Sequence, residues 1–307
     1  MLATRDGFGD ELTVLANENP FIVAMTADLT EATRLGKFKK YHPDRYIQMG
    51  IAEANMIGVA SGLSEHGYRV FMTSFASFLT GRYDILRVSL GYAKAPVVVV
   101  GTHAGLAIGR DGLTQMGTED LSLMRSMPNM QVLQPSTYTE ARQITRYLAS
   151  STGLTYLRLG RQPVPDSLPG DYKFEFNKIQ LVYSTTRARV CVLSTGCVLP
   201  NVLTAAKRLQ MEGIRVDVYN VSTIKPLDEE MLVKAVLKYD YLATVEDHSI
   251  IGGLGSAVAE VTSTKSPCQV LRIGINDVFA GSGKPDDLYE KYGLSAESIY
   301  QKIKDAW

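Results

Sequence analysis

One carboxylate stands out for its company. Glu53 lies in MGIAEANMIGVASG, a run with no other charge, flanked by Ile51, Ala52, Ala54, Asn55 and Met56. A carboxyl among small and apolar residues is costly unless it is hydrogen-bonded, metal-bound or protonated. It is either a functional acid or a helix-start carboxylate favoured by the helix dipole. Downstream, FMTSFASFLTGR places Phe71, Phe75 and Phe78 at helical spacing. Such a stripe packs a core in most proteins, and in others it walls a flat heterocycle.

A second concentration of chemistry is GTHAGLAIGRDGLTQMG, with five glycines in 17 residues alongside His103, Arg110, Asp111 and Gln115. Backbone can approach a ligand closely in such a loop, and polar side chains can converge there. Arg158, in TYLRLGR, suits either a domain-interface ion pair or a phosphate grip. Arg5 and Arg34 carry the same ambiguity. His248 precedes GGLG, which serves equally as an anion site at a helix start or as close helix–strand packing.

These residues need elements to hold them, and the chain alternates strand with helix throughout. Strands are expected at Phe21–Met25, Ala95–Gly101, Gln131–Pro135 and Tyr156–Leu159, with helices at Glu53–Leu63 and Thr137–Ala149. Residues 166–185, rich in Pro, Gly and charge, read as a linker between a first domain (1–165) and a second (186–307). The second repeats the alternation, with strands at Val190–Leu193, Arg215–Asn220, Tyr241–Val245 and Val270–Ile273. Its helices are expected at Asn201–Glu212, Leu227–Lys238 and Gly255–Val261. Continuous apolar runs such as APVVVVG suit parallel strands buried on both faces. The fold class is therefore α/β, as two open, doubly wound, mostly parallel-sheet domains. Ligands of such sheets sit at the carboxyl ends of the strands, so the loops after Val100 and Val245 are where function is expected.

The remaining composition narrows the field. The 32 basic and 32 acidic residues among 307 balance, and no basic stripe points to nucleic acid or a membrane surface. Cys191, Cys197 and Cys268 fit neither a disulfide framework nor a zinc spacing. No apolar signal core or spanning run is present, so a cytoplasmic location is expected. Dinucleotide, P-loop and nucleophile-elbow signatures are absent.

Taken in order, ATRDGFGDEL, ADL, YIQMGIAEANMIGVASGL, SFASFLTGR, HAGLAIGRDGLTQ, MRSMPNMQVLQPS, YLRLGR, IKPLDEE and VEDHSIIGGLGSAVAE resemble the pyrimidine-binding and C-terminal domains of transketolase, across nearly the whole chain. Deoxyxylulose-phosphate synthase and the beta subunits of 2-oxoacid dehydrogenases share these domains, and the RDGLTQ loop looks more like transketolase or the synthase. The family's third domain, marked by Gly-Asp-Gly and a later Asn, has no match: GD at 9–10 and at 170–171 does not continue with Gly. The resemblance thus implies the C-terminal-half subunit of a split transketolase. A different chain would hold the diphosphate of thiamine diphosphate and its Mg²⁺, in a heterotetramer of two copies of each.

The resemblance also implies roles. Glu53 would hydrogen-bond the aminopyrimidine ring nitrogen and drive its tautomerisation, helped by a raised pKa. Phe78 would stack on the pyrimidine and Phe75 form a second wall. Asp28, Leu29 and Arg82 would complete the cofactor site. Gly81 stands where the family often has tyrosine, leaving that contact to Arg82 or Tyr83. His103 and Asp111 would contact sugar hydroxyls, with His103 a candidate proton carrier. Arg5 and Arg158 would hold a sugar phosphate, near Ala32 and Thr33 where the family has serine. Gln115 replaces the histidine of D-G-x-T-H; it can hydrogen-bond substrate but cannot act as a base. The expected reaction is transfer of a two-carbon ketol unit from a ketose to an aldose. The alternatives are a 2-oxoacid dehydrogenase beta subunit or synthase-like enzyme, and a non-catalytic paralogue.

Overall fold

The computed structural model describes residues 1–307. Its first half runs α1 (Thr4–Glu18), β1 (Ile22–Thr26), α2 (Gly36–Tyr41), β2 (Tyr46–Gln48), α3 (Glu53–Glu65), β3 (Arg69–Phe75) and α4 (Ala76–Thr80). Next come α5 (Tyr83–Ile85), continued by a π-helical stretch Leu86–Tyr92, then β4 (Val98–Thr102), α6 (Asp120–Ser126), β5 (Gln131–Leu133), α7 (Tyr138–Ser150) and β6 (Thr155–Arg158). The six strands are parallel in the order β5-β6-β4-β3-β1-β2.

Alternation within each strand builds two separate cores. Ile22, Ala24, Phe71, Val98 and Val100 face one side, against Phe8 and Leu12 of α1 and Ile144 and Leu148 of α7. Val23, Met25, Val70, Met72, Val97 and Val99 face the other, against Met56 and Ile57 of α3 and Leu121 and Met124 of α6. Since successive side chains point to opposite faces, a sheet covered on both sides needs apolar residues at every position, which is why VVVV reads as an unbroken run. Helix α7 begins at a satisfied cap. Thr137 Oγ1 accepts from the Glu140 amide at 3.2 Å, and Glu140 Oε2 accepts from Ser136 N at 2.6 Å.

The second half runs β7 (Ile179–Tyr183), β8 (Val190–Thr195), α8 (Leu199–Met211), β9 (Val216–Val221), β10 (Thr223–Lys225), α9 (Glu229–Lys238), β11 (Tyr241–Ser249), α10 (Leu254–Lys265), β12 (Val270–Ile275), α11 (Pro285–Lys291) and α12 (Ala296–Ala306). Its sheet has the order β12-β11-β8-β9-β7, parallel except for β7 at the edge. Strand β10 leaves this half and pairs antiparallel with β5, becoming the seventh strand of the first sheet.

Two α/β sheets are present as expected, but two local expectations differ. The segment 166–185 is not linker throughout, because Ile179–Tyr183 forms the edge strand β7 against β9. Phe71, Phe75 and Phe78 are not a helical stripe: Phe71 and Phe75 lie in β3, where every residue is buried, and only Phe78 is helical. Their spacing of four and three is incidental to a strand followed directly by a short helix. Helix α1 was not foreseen; its polar face and two glycines mask the periodicity that buries Phe8, Leu12 and Leu15. No helix is long and apolar enough to cross a membrane.

Candidate active site

The expected residues gather at the carboxyl ends of β1, β3 and β4. A cavity of about 470 Å³ opens there, lined by Asp28, Leu29, Ile51, Glu53, Ser77, Phe78, Gly81 and Arg82. Glu53 is the first residue of α3 and is 7 % exposed. It occupies the helix start foreseen for a dipole-favoured carboxylate, yet its hydrogen bond comes from outside the helix, from Ser74 Oγ to Oε1 at 2.9 Å. Asp28, with φ of 58°, donates its amide to Gln48 Oε1 at 2.7 Å, which fixes the turn after β1. Of the two residues that could replace the family tyrosine, Arg82 lines the cavity, whereas Tyr83 turns away to Ser126 Oγ at 2.9 Å.

Phe78 forms a wall of this cavity, and Phe75 stands behind it. Their rings stack with centroids 5.1 Å apart, and the other side of Phe75 stacks on His103 at 3.9 Å. Phe75 therefore supports the wall rather than lining it. Helix α4 follows β3 without a loop, so Phe75 and Phe78 share one side of the strand–helix junction.

Beyond His103 lies a second cavity of about 420 Å³, lined by Arg5, Asp6, Arg34, Arg110, Arg161, Gln162 and Lys284. Five cations meet two carboxylates: Asp6 pairs with Arg34, and Asp111 pairs with Arg161 at 2.8 Å. The surplus is felt by its neighbours. Burial, then Arg34, lowers the Arg5 pKa to about 10, with Asp6 pulling the other way. His103 is pushed down to about 3, first by burial and then by Arg5, Arg161 and Arg34. A bound anion would relieve all of these repulsions.

His103 is thereby corrected as a candidate proton carrier. Arg5 Nη1 lies 2.9 Å from its Nε2. Guanidinium only donates, so Nε2 accepts and the proton of the neutral ring sits on Nδ1, 2.9 Å from Thr102 Oγ1. Both ring nitrogens are thus committed to neighbours, and the lowered pKa keeps the ring neutral.

Arg158 is corrected too. It is 1 % exposed and donates from Nε to both oxygens of buried Asp120, at 2.8 and 3.1 Å, and from Nη2 to the carbonyls of Gly117 and Asp247. Of its two possible roles it takes the ion pair at the domain interface. The arginine that faces the cationic cavity is Arg161, three residues on and past the end of β6, which the match to the family's phosphate arginines at Arg158 passed over. Asp111 reaches that cavity only through Arg161. Gln115 is half-buried beside the first cavity, where its backbone carbonyl accepts from Ser77 Oγ at 3.0 Å. Ala32 contributes its carbonyl to Arg5 at 2.9 Å, while Thr33 is buried and hydrogen-bonded within its own turn. His248 is wholly buried and belongs to the interface, not to either cavity.

The first cavity suits an aminopyrimidine: an aromatic face at Phe78, apolar contacts at Leu29 and Ile51, and a carboxyl oxygen of Glu53 without a partner in the chain. It is less suited to a diphosphate, since Arg82 is its one cation. No three His, Cys, Asp or Glu side chains converge as a metal-binding set.

Comparison with known proteins gives the family. Residues 1–166 match the family model of the transketolase pyrimidine-binding domain, and residues 180–299 that of the transketolase C-terminal domain. The chain is 39% identical, over 98% of its length and 95% of the relative's, to a Methanocaldococcus jannaschii protein provisionally named a transketolase C-terminal section. It is 37% identical, over 96% and 91%, to a 6-deoxy-6-sulfo-D-fructose transketolase subunit of Clostridium sp.. Against human transketolase it is 32% identical over 99% of this chain but 49% of the relative. A solved split-gene transketolase, described as an inactive beta4 tetramer, superposes with a TM-score of 0.92 at 40% identity, covering 100% of this chain and 98% of that one.

Proposed function

The chain belongs to the transketolase family, whose members depend on thiamine diphosphate, and on that premise we propose that it is the pyrimidine-binding subunit of a split transketolase. In this reading a partner chain holds the diphosphate and Mg²⁺ in a heterotetramer, and the pair moves a two-carbon ketol unit from a ketose to an aldose. The observation that carries it is the pairing of two cavities across one shared wall: Glu53 and Phe78 on one side, Arg5 and Arg161 on the other, with Phe75 and His103 between.

Thiamine diphosphate, when bound, supplies the carbon nucleophile. The chain's own residues then have separable tasks. Glu53, with Oε2 free of any partner in the chain, would hold the ring nitrogen and a proton there. Phe78 would support the ring plane, and Leu29 and Ile51 would give it apolar contacts. Arg5, Arg161, Arg34 and Lys284 hold an anionic group at the far end of the sugar, where forked guanidinium donors match phosphate or sulfonate geometry. His103 accepts from Arg5 and keeps that fork aimed. Two relatives act on sugars that end in such an anion: the sulfo-fructose enzyme above, and an apulose-4-phosphate transketolase subunit of Phocaeicola vulgatus, 32% identical over 97% of this chain. Ile51, 86 % exposed at the cavity mouth, is a contact that a covering chain would bury.

The test is reconstitution. The chain alone, given thiamine diphosphate and Mg²⁺, is expected to be inactive with ketose phosphate donors; adding a chain that carries the diphosphate-binding domain restores transfer. Activity from the isolated chain would overturn the split arrangement. In the reconstituted enzyme, Glu53→Gln is expected to lower kcat by about 10²- to 10⁴-fold, the range for a lost general acid–base group, with unchanged thermal unfolding.

A further inference from the structure

Nothing in α3 holds the carboxyl of Glu53. Its one hydrogen bond comes from the neighbouring strand, where Ser74 Oγ lies 2.9 Å from Oε1. Ser74 is wholly buried, so water cannot substitute. Its hydroxyl has no other acceptor and therefore donates to Oε1. Oε2 has no partner in the chain, and Glu53 lines the first cavity.

A second layer holds Ser74 in turn. Thr102, on the adjacent strand β4, donates from Oγ1 to the Ser74 carbonyl at 3.3 Å and accepts from His103 Nδ1 at 2.9 Å. His103 Nε2 accepts from Arg5. An unbroken run of contacts thus leads from the cationic cavity, through two strands, to the serine behind the glutamate.

We propose that Ser74 is a positioning residue for Glu53. By tying Oε1 to β3 it decides which of two chemically equivalent oxygens is presented to a ligand, and it places any acid proton on Oε2, since Oε1 already accepts. For the identity of that ligand the inference rests on the proposed function; for the carboxyl's orientation it rests on this chain alone.

The test uses Ser74→Ala, which removes the donor, and Ser74→Thr, which keeps a hydroxyl, in the reconstituted enzyme. A hydrogen bond to a charged group predicts that Ser74→Ala loses about tenfold or more in kcat/KM, mostly in kcat, while Ser74→Thr recovers most of the loss. The independent readout is the isolated chain carrying ¹³C-carboxyl glutamate. The Glu53 resonance, identified by its disappearance in Glu53→Gln, is expected to change chemical shift in Ser74→Ala and to return toward the parent in Ser74→Thr, because the carboxylate loses and regains its donor. Parent-like kinetics and an unmoved Glu53 resonance in Ser74→Ala overturn the proposal. Equal loss in both serine variants also overturns it, by showing that packing and not the hydroxyl matters. Activity that survives Glu53→Gln while the resonance still moves would instead defeat the functional reading and leave Ser74's role standing.

Discussion

Two groups of buried charge lie close together in this molecule and are finished to different degrees. At the interface of the halves, Asp120 receives Arg158 and the hydroxyl of Tyr156 at 2.7 Å. Asp247 receives the Leu106 amide and the hydroxyl of Tyr289, each at 2.9 Å. Glu246 receives the amides of Leu254 and Gly255 at the start of α10. Gly105, at φ +79°, passes so close to Asp247 that an added Cβ would lie 2.2 Å from its Oδ2. Every carboxylate here has at least two donors. In the cavities, Glu53 has one donor and five cations share two carboxylates. Protein interiors leave few polar groups unpaired, so the paired carboxylates of the interface, beside a His248 Nε2 that has no partner, are architecture, and the underpaired cavity groups are a place for ligands.

That contrast can be broken at its completed end first. Arg158→Met leaves Asp120 buried without its counter-charge and is expected to destabilise the chain by about 3–5 kcal/mol, measured by denaturant unfolding. If stability were unchanged, the interface would not be the structural member of the pair. At the incomplete end, Arg161→Ala removes a cation from a site that already has too many. Stability is expected to hold, while KM for an anionic sugar rises by roughly 10- to 100-fold with kcat little changed. A neutral sugar of the same shape would lose nothing.

Acid sharpens the comparison, because both groups contain a buried histidine. His103, near 3, and His248, pushed by burial to about 4, contribute stability above the unfolded value of about 6.5 that is lost as pH falls toward their folded values. Glu246 runs the other way. Burial raises it to about 7 against the pull of its two helix amides, so its contribution is complete below about pH 4.5 and vanishes as pH rises through about 7. Glu246→Gln is therefore expected to deepen the stability loss between about pH 7 and about pH 5 by about 2 kcal/mol. The smallest effect expected is that of Gln115→His, a change in relative donor preference of a few-fold, of the order of one hydrogen bond. Identical donor kinetics would place position 115 outside substrate reach.

Much of this was legible in the residues. Glu53 could be singled out because a lone carboxylate in a small and apolar run demands an explanation, and Phe78 because its own segment, SFASFLTGR, resembles the family's aromatic wall. The glycine-rich loop announced its backbone turns. What could not be read was which of two nearby arginines faces inward. Arg158 and Arg161 sit three residues apart, and the end of β6 decides between them; a partner as distant in sequence as Asp120 settles it. Ser74 was silent for a similar reason, since its hydroxyl matters only once β3 lies beside the start of α3.

Strand β10 carries a consequence for how such a protein can be dissected or inherited. The boundary between the two family domains falls near residues 166–180, yet a cut there would strip Gln131–Leu133 of its outer neighbour and bare a row of amides and carbonyls, a ready template for aggregation. The halves resemble interchangeable modules when written as a string of letters; as a folded object they are stitched, and a recombination that exchanged one alone would have to supply the missing thread.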